Sequence, residues 1–394
     1  MTEPINIVHL FGRMNRGGAE MRTLELMRHV DRDRFRFSFC ALSGESGDLD
    51  GEIRSLGGEV HMLRLGVIFG GKFRRLLRER RFDVVHSHVH YPSGYLLRLA
   101  AKEAVPVRIT HFRITTDGRP AGLRRRVQVA ILRRWIDRYS TDILAVSRGT
   151  MASAWRQDWQ TDPRCRVVYN GIDLSRFTAP PDREGVRREL GIPPQDTLYI
   201  HVGRIEEQKN HLRLASVFAE IVRLDPASRL VIVGRGGNDL ERELRSRLAE
   251  LGVADRVVLA GLRSDVPRLL KAADAMIFPS RFEGLPGAVL EACAAGTPVL
   301  ASDIDVHRET AGHLKSVTTL PLEAPDTTWA GAAMRLASAA RQDPARRRRA
   351  AEEFAGSVFS LERCVRANQD VWERARHEHQ AVLQTPATGR GVPA

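Results

Sequence analysis

The sequence is poor in cysteine, in lysine and in long apolar runs. Its four cysteines are scattered with no paired spacing, at Cys40, Cys165, Cys293 and Cys364. Such spacing argues against a disulfide framework or a cysteine metal site and favours buried, reduced thiols. No apolar run approaches the ~20 residues of a membrane span. Because Met1–Pro4 lead directly into a predicted strand, we expect no signal peptide and a cytoplasmic location.

Positive charge is abundant but uneven. Residues 1–176 contain 31 Lys and Arg against 19 Asp and Glu, whereas the remainder is nearly balanced, and the whole chain carries +13. Only five of the 61 basic residues are lysine. The excess is concentrated in Lys72–Arg81, Arg124–Arg126 and Arg133–Arg138. Clusters of this kind attract an anionic membrane or acceptor, although a solvated helix face is an equal alternative. No aromatic-interleaved basic motif is present, so we predict no nucleic-acid partner.

Short β-rich apolar runs alternate with amphipathic helical segments along the whole chain. This order predicts an α/β protein with parallel sheets covered on both faces. The paired prolines within Ser175–Asp196 mark the predicted linker. We therefore predict two doubly wound domains, over 1–176 and 177–360. A helix over 361–383 is expected to return to the first domain, followed by a disordered tail over 384–394.

The segment Phe278–Val299, FPSRFEGLPGAVLEACAAGTPV, places two acids around a helix start. Glu283 and Glu291 stand eight residues apart, and Pro286 suits the first helical position. Free N–H groups and the dipole at a helix start attract phosphate. Acid, phosphate site and acid follow the polarity of a sugar nucleotide: hexose, diphosphate, ribose. Alone, the pattern equally describes a capped helix with solvated charges.

Further motifs precede this segment in order: Gly17–Glu20, Asp83–His88, Ala145–Ser147, Val168–Asp173, His201–Arg204 with Lys209-Asn210, and Val231–Gly234. With them, the chain resembles the retaining glycosyltransferases of family four as far as about Ser302, most closely the bacterial exopolysaccharide type. The resemblance implies the GT-B fold, in which two Rossmann-like domains face each other across a cleft. It also implies a nucleotide-sugar donor bound mainly by the second domain.

The resemblance assigns roles to individual residues. Arg204 and Lys209 would stabilise the charge that builds on the departing diphosphate. Glu283 would accept hydrogen bonds from sugar hydroxyls, and Glu291 would hold the ribose. Further donor contacts are expected at Gly17, Gly18, Gly203, Gly234, Arg235, Gly284 and Leu285. Without the other motifs, the Gly17-Gly18 pair would also fit an ordinary strand-to-helix turn.

His111 ends a predicted strand, and the resemblance places it near the donor sugar in the cleft. A single histidine at a strand end is also a common structural residue. The related enzymes often read His-Ser-His-Thr here, whereas this chain has Arg113 at the second histidine. That difference leaves the identity of the acceptor open. His86 and His88 have a metal-ligand spacing, but we interpret them as structural residues and predict no metal site.

The predicted function is transfer of a hexose, with retention, from a nucleotide-diphosphate sugar to a glycan, lipid-linked or small-molecule acceptor. The donor is expected to carry UDP. The predicted catalytic residues are His111, Arg204, Lys209 and Glu283, with no cofactor besides the donor substrate. No protein nucleophile is evident, which favours front-face substitution. The alternatives are a sugar-nucleotide epimerase of the same fold and a sugar-nucleotide-binding protein without catalysis.

The basic first domain also predicts peripheral contact with the anionic inner face of the plasma membrane. The helix over 73–82 is the preferred candidate for this contact. In it, Phe73, Leu76 and Leu77 can form an apolar seam beside arginines.

Overall fold

The computed structural model describes residues 3–115, 122–343 and 345–384, with side chains as far as Arg374. The chain divides into two compact units. Unit 1 comprises Met1–Tyr169 and Glu362–Ala394, and unit 2 comprises Asn170–Leu361. The division after Tyr169 precedes the predicted boundary after Arg176. The C-terminal segment belongs to unit 1, and residues 385–394 of the predicted disordered tail lie outside the described residues.

Unit 1 is built on a seven-stranded parallel sheet in the order β3-β2-β1-β4-β5-β6-β7. Its strands are β1 (Ile5–Phe11), β2 (Phe35–Ala41), β3 (Glu59–Met62), β4 (Val84–Ser87), β5 (Val107–Phe112), β6 (Asp142–Ala145) and β7 (Cys165–Val167). Its helices are α1 (Gly18–His29), α2 (Asp50–Ser55), α3 (Phe69–Arg80), α4 (Ser93–Lys102), α5 (Leu123–Tyr139) and α6 (Arg148–Ala154). The last helix of the chain, numbered α15 (Leu361–Gln384), packs its Val371 and Trp372 into the core of this unit.

Unit 2 contains a six-stranded parallel sheet in the order β10-β9-β8-β11-β12-β13. Its strands are β8 (Thr197–Val202), β9 (Ser228–Val233), β10 (Val257–Gly261), β11 (Ala275–Phe278), β12 (Val299–Ser302) and β13 (Val317–Leu320). Its helices are α7 (Arg183–Glu189), α8 (His211–Leu224), α9 (Asp239–Glu250), α10 (Val266–Ala272), α11 (Gly287–Ala294), α12 (Asp305–His313), α13 (Asp326–Gln342) and α14 (Arg346–Gly356). The predicted doubly wound architecture is therefore confirmed in each unit.

The sequence missed two strands, and both lie at a sheet edge. β3 reads Glu-Val-His-Met and β13 reads Val-Thr-Thr-Leu, each only four residues long. An edge strand is covered less completely than a central one, so it does not need the continuous apolar run that reveals a buried strand. The other eleven strands are those predicted from the short apolar runs of the sequence, and their ends lie within two residues of the predicted ones.

The predicted linker over Ser175–Asp196 is wrong, because this segment is an ordered part of unit 2. It contains α7, whose Arg187 is 3% exposed. The Arg187 guanidinium donates to the Pro193 and Asp196 carbonyls and pairs with Asp274 at 3.1 Å. Paired prolines here flank a helix rather than a flexible connection.

The predicted membrane seam on α3 is also wrong. Phe73 and Leu77 are buried in the core beneath the sheet of unit 1, and Leu76 packs beside them. Two arginines of the same helix, Arg74 and Arg78, pair with Glu103. The apolar face of α3 therefore serves the fold. None of the described helices is both long and apolar enough to cross a membrane.

Candidate active site

Loops at the carboxyl ends of β8 and β9 touch through glycine. Gly203 N–H donates to the Val233 carbonyl at 2.8 Å, and Gly234 N–H donates to the Gly261 carbonyl at 2.8 Å. A Cβ atom added to Gly234 would lie 2.0 Å from the Gly203 carbonyl oxygen. Because backbone atoms on both sides leave no room for a side chain, this position requires glycine. The contact sets the two predicted donor-binding loops side by side.

Lys209 and Glu283 form a largely buried ion pair between two of these strand ends. Lys209 ends the 3₁₀ turn after β8, and Glu283 lies in the loop after β11. Lys209 Nζ lies 2.7 Å from Glu283 Oε1, and the side chains are 15% and 6% exposed. Gln208 Nε2 donates to the other carboxylate oxygen at 3.0 Å. Since β8 and β11 are neighbours in the sheet, the strand order joins residues 74 positions apart.

The second acid of the signature lies on α11. Glu291 is the fifth residue of this helix, half-buried, and its carboxylate is 4.0 Å from the Arg176 guanidinium. Pro286 is the N-cap rather than the first helical residue, one position earlier than predicted, with φ −76° and ψ 99°. Gly284 and Leu285 are buried in the turn before it. The helix start and both acids thus belong to one compact segment of unit 2.

The two predicted arginines of unit 2 are more exposed than Lys209. Arg204 is 66% exposed and pairs with Glu206 at 2.9 Å. Arg235 is exposed in the loop after β9. Neither belongs to the Lys209–Glu283 pair, so Lys209 is the cation that the fold holds against the predicted sugar-binding acid.

In unit 1, Gly17 is the N-cap of α1 and Gly18 is its first residue. A Cβ on Gly17 would lie 2.3 Å from Glu20 Oε2, while one on Gly18 would meet no described atom within 4 Å. The Glu20 carboxylate therefore covers this helix start, where the dipole favours a negative charge. A phosphate reaching the predicted Gly17-Gly18 site has to displace it.

His111 lies near the end of β5 and is 1% exposed. Its Nδ1 is 3.0 Å from His86 Nε2, and its own Nε2 has no hydrogen-bond partner among the residues described. Burial, reinforced by the charge of Arg113, holds the pKa of His111 well below its usual value. His111 is therefore a buried neutral imidazole with one nitrogen left for a ligand, rather than an exposed base.

Another histidine that lies beside His86 and His88 was not predicted from the sequence. His9, in the middle of β1, lies beside His86 and His88, and one ring nitrogen from each falls within 4.8 Å of the others. Burial lowers the pKa of His9 to about 3. The signal was available, because a single polar residue interrupts the apolar run Ile7–Phe11. Gln208 and Trp372 were missed as well, since neither belongs to a recognisable motif.

Comparison with known proteins agrees with this geometry. The family model "Glycosyltransferase Family 4" matches residues 16–176, and "Glycosyl transferases group 1" matches residues 182–354. The capsular polysaccharide biosynthesis glycosyltransferase CapH of Staphylococcus aureus is 33% identical over 85% of this chain and 91% of its own length. The chain belongs to glycosyltransferase family 4.

Other relatives of this glycosyltransferase support the same assignment. The putative glycosyltransferase EpsF of Bacillus subtilis is 30% identical over 85% of the chain and 88% of its own length. Among solved structures, HepE of Anabaena in complex with UDP matches with a TM-score of 0.78 at 17% identity, covering 94% of this chain and all of HepE. HepE has also been solved with UDP-glucose. At this identity the structural match shows the GT-B fold.

Proposed function

We propose that this glycosyltransferase moves a hexose from a UDP-linked donor to a glycan or lipid-linked acceptor, with retention and without a metal ion. The Lys209–Glu283 pair carries the proposal, because it sets a half-buried cation beside a carboxylate at neighbouring strand ends. In open parallel sheets, ligands bind beyond the carboxyl ends of the strands. The role of CapH in capsular polysaccharide biosynthesis and the UDP complex of HepE favour polysaccharide assembly and a UDP donor.

One cation and two acids of unit 2 are assigned to different parts of the donor. Lys209 is placed to stabilise the diphosphate as negative charge develops during bond cleavage. Glu283 already accepts from Lys209 and Gln208, and a carboxylate has about four acceptor sites, so lone pairs remain for sugar hydroxyls. Glu291 is assigned to the ribose, one and a half turns along α11.

The same contacts favour a mechanism without a protein nucleophile. A carboxylate whose two oxygens both accept hydrogen bonds, one of them from a cation, is a weak nucleophile. Glu283 is in that state. We therefore assign proton acceptance from the attacking hydroxyl to the leaving phosphate, on the same face of the sugar.

The test is incubation with UDP-, GDP- and ADP-hexoses, with and without a lipid-diphosphate glycan, in buffer containing EDTA. The proposal expects UDP release and a glycosylated product only when the acceptor is present, with the anomeric configuration of the donor. Isomerised donor without acceptor would instead establish an epimerase. Donor recovered unchanged under every condition would establish a binding protein.

We also propose that unit 1 contacts an anionic membrane through α5. Three apolar residues on one side of this helix, Leu123, Val127 and Ile131, are exposed by 78%, 55% and 46%. They recur every four residues, so they form one stripe. Exposed arginines flank it at Arg124, Arg126, Arg134 and Arg138. An apolar stripe within a basic face is the composition that binds acidic bilayers.

Vesicle co-sedimentation tests this contact. Wild-type protein is expected to bind phosphatidylserine vesicles at low salt and to lose binding as salt rises. Val127→Glu should weaken binding, whereas Leu262→Glu, at an apolar position 68% exposed in unit 2, should not. Equal binding of wild type and the Val127 variant would contradict the assignment to α5.

A further inference from the structure

Four histidines meet inside unit 1 on three adjacent strands: His9 on β1, His86 and His88 at the end of β4, and His111 on β5. All are at most 9% exposed. The rings of His86 and His111 stack with centroids 5.2 Å apart, and those of His9 and His88 at 5.4 Å. In such a cluster, a neighbouring group that can only donate a hydrogen bond shows which ring nitrogen carries no proton.

Trp372, on α15, determines the tautomers of His86 and His111. Its indole Nε1 can only donate, and it lies 3.3 Å from His86 Nδ1. His86 Nδ1 must then be the unprotonated nitrogen, so the proton of this neutral ring is on Nε2. That Nε2–H faces His111 Nδ1 at 3.0 Å and donates to it. His111 consequently carries its own proton on Nε2.

Arg113 fixes the second pair in the same way. A guanidinium can only donate, and Arg113 Nε lies 3.1 Å from His88 Nδ1. The proton of His88 is therefore on Nε2, which donates to His9 Nδ1 at 3.1 Å. His9 also ends with an Nε2–H, which has no partner among the described residues.

This arrangement argues against a metal ion at His9, His86 and His88, although their nitrogens are close enough to share one. A neutral imidazole has a single lone pair in the ring plane to give to a metal. In His86 that lone pair accepts from Trp372, and in His88 it accepts from Arg113. Metal binding at these two rings would break both of these hydrogen bonds.

We propose that Trp372 and Arg113 are positioning residues that set the tautomers of the four histidines. Arg113 sets those of His88 and His9, and Trp372 sets those of His86 and His111, so that His111 offers an N–H and not a lone pair. The consequence for chemistry rests on the proposed function. His111 then acts as a hydrogen-bond donor to an oxygen of the bound sugar nucleotide and does not take the proton of the acceptor. A helix from the end of the chain thereby controls a residue on β5.

Nuclear magnetic resonance of the full chain labelled with ¹⁵N-histidine reads the tautomers directly. All four rings are expected to show an unprotonated Nδ1 and a protonated Nε2 at pH 7. Trp372→Phe removes one donor and should change the tautomers of His86 and His111 only. Arg113→Met should change the tautomers of His88 and His9 only. Either variant moving the ring proton in all four histidines, or in none, would overturn the proposal.

Turnover provides the second readout. Trp372→Phe should lower kcat about tenfold, the effect of one lost hydrogen bond, with little change in the KM for the donor. Val371→Ala, which removes only packing from the same helix, is the matched control and should retain its turnover. Equal losses in the two variants would show that Trp372 acts by packing. A wild-type chain inactive with every donor would refute the proposed function, while the spectra would still decide the tautomers.

Discussion

The two units share one architecture but differ in the clusters of polar side chains at their strand ends. Unit 1 buries neutral imidazoles, and its hydrogen bonds assign every proton in the cluster of His9, His86, His88 and His111. Unit 2 instead buries opposite charges against each other, in Lys209 and Glu283. A buried network of neutral hydrogen-bonding groups fixes the orientation of its side chains, whereas a buried ion pair places fixed charges beside the ligand and so acts through its electric field. The comparison explains why a charged diphosphate is assigned to unit 2.

The largest expected difference between the two units is the loss of stability at acidic pH. Among the residues whose side chains are described, buried histidines with lowered pKa number five in unit 1 and three in unit 2. They are His9, His86, His88, His90 and His111, against His201, His211 and His307. A lowered folded pKa gives stability that is complete above the unfolded value of 6.5 and lost as pH falls below it. As the pH falls from 6.5 to 5, each buried histidine that stays neutral in the folded protein should therefore lower the free energy of unfolding, by on the order of 1–2 kcal/mol.

Urea unfolding followed by fluorescence checks this, because four of the five tryptophans belong to unit 1: Trp135, Trp155, Trp159 and Trp372. The unfolding midpoint should fall steeply from pH 6.5 to 5 and stay flat above pH 7. Carboxylates with lowered pKa, such as Asp162 at about 2, affect stability only near or below pH 3.8 and do not interfere. A midpoint unchanged at pH 5 would contradict the neutral, buried assignment.

Lys209→Ala tests the charged side of the comparison. Removing a group that stabilises developing charge typically costs roughly 2.7–4 kcal/mol of barrier, or 10²–10³ in kcat. Donor KM should change less, because the charge matters most as the diphosphate leaves. Lys315→Ala removes an exposed lysine of the same unit and is the control. Steady-state kinetics in which both variants match wild type would remove Lys209 from the site.

Glu291→Ala should affect binding rather than turnover, since ribose contacts are similar in the ground and transition states. Loss of a charge-assisted hydrogen bond should weaken UDP binding by about 1.5–3 kcal/mol. Isothermal titration calorimetry with UDP alone measures this. Glu243→Ala, at an exposed position on α9 of the same unit, should bind UDP as wild type does. An unchanged Kd for the Glu291 variant would exclude the ribose contact.

Gly234→Ala should destabilise unit 2 by about 1–3 kcal/mol, because its Cβ would collide with the Gly203 carbonyl. Gly236→Ala is the matched control in the same loop. Its Cβ would meet the carboxylate end of Glu241 and, at 3.1 Å, the Cδ1 atom of Ile205; both are ends of side chains rather than backbone, so they can move. Thermal unfolding should therefore distinguish two alanines placed two residues apart. Equal Tm values would mean that the loops separate without cost.

Much of the fold and part of the site were predictable from sequence. Central strands such as Thr197–Val202 show themselves because burial on both faces demands an apolar run. Lys209, Glu283 and Glu291 were found through motifs. The ion pair between Lys209 and Glu283 could not be predicted, since it depends on the β8–β11 neighbourhood. The Trp372–His86 contact, across 286 residues, has no local signal at all.

The buried face of α3 shows a second limit. Its sequence gives an amphipathic helix with arginines on one side, which fits both a membrane helix and a helix packed on a sheet. Only the burial of Phe73 and Leu77 separates the two. On α5 the exposed stripe of Leu123, Val127 and Ile131 is likewise visible only once α4 is known to cover the opposite side, where Leu132 and Ile136 are buried.

The central claim, that unit 2 holds the nucleotide through the loops after β8 and β11, is tested most directly by hydrogen exchange with and without UDP. We expect UDP to slow exchange in residues 202–210 and 278–291 of the wild-type chain, and to do so more strongly there than in residues 9–20. The slowing should disappear in the Glu291→Ala variant at the same UDP concentration. Protection confined to unit 1, with the unit 2 loops unaffected, would contradict the account.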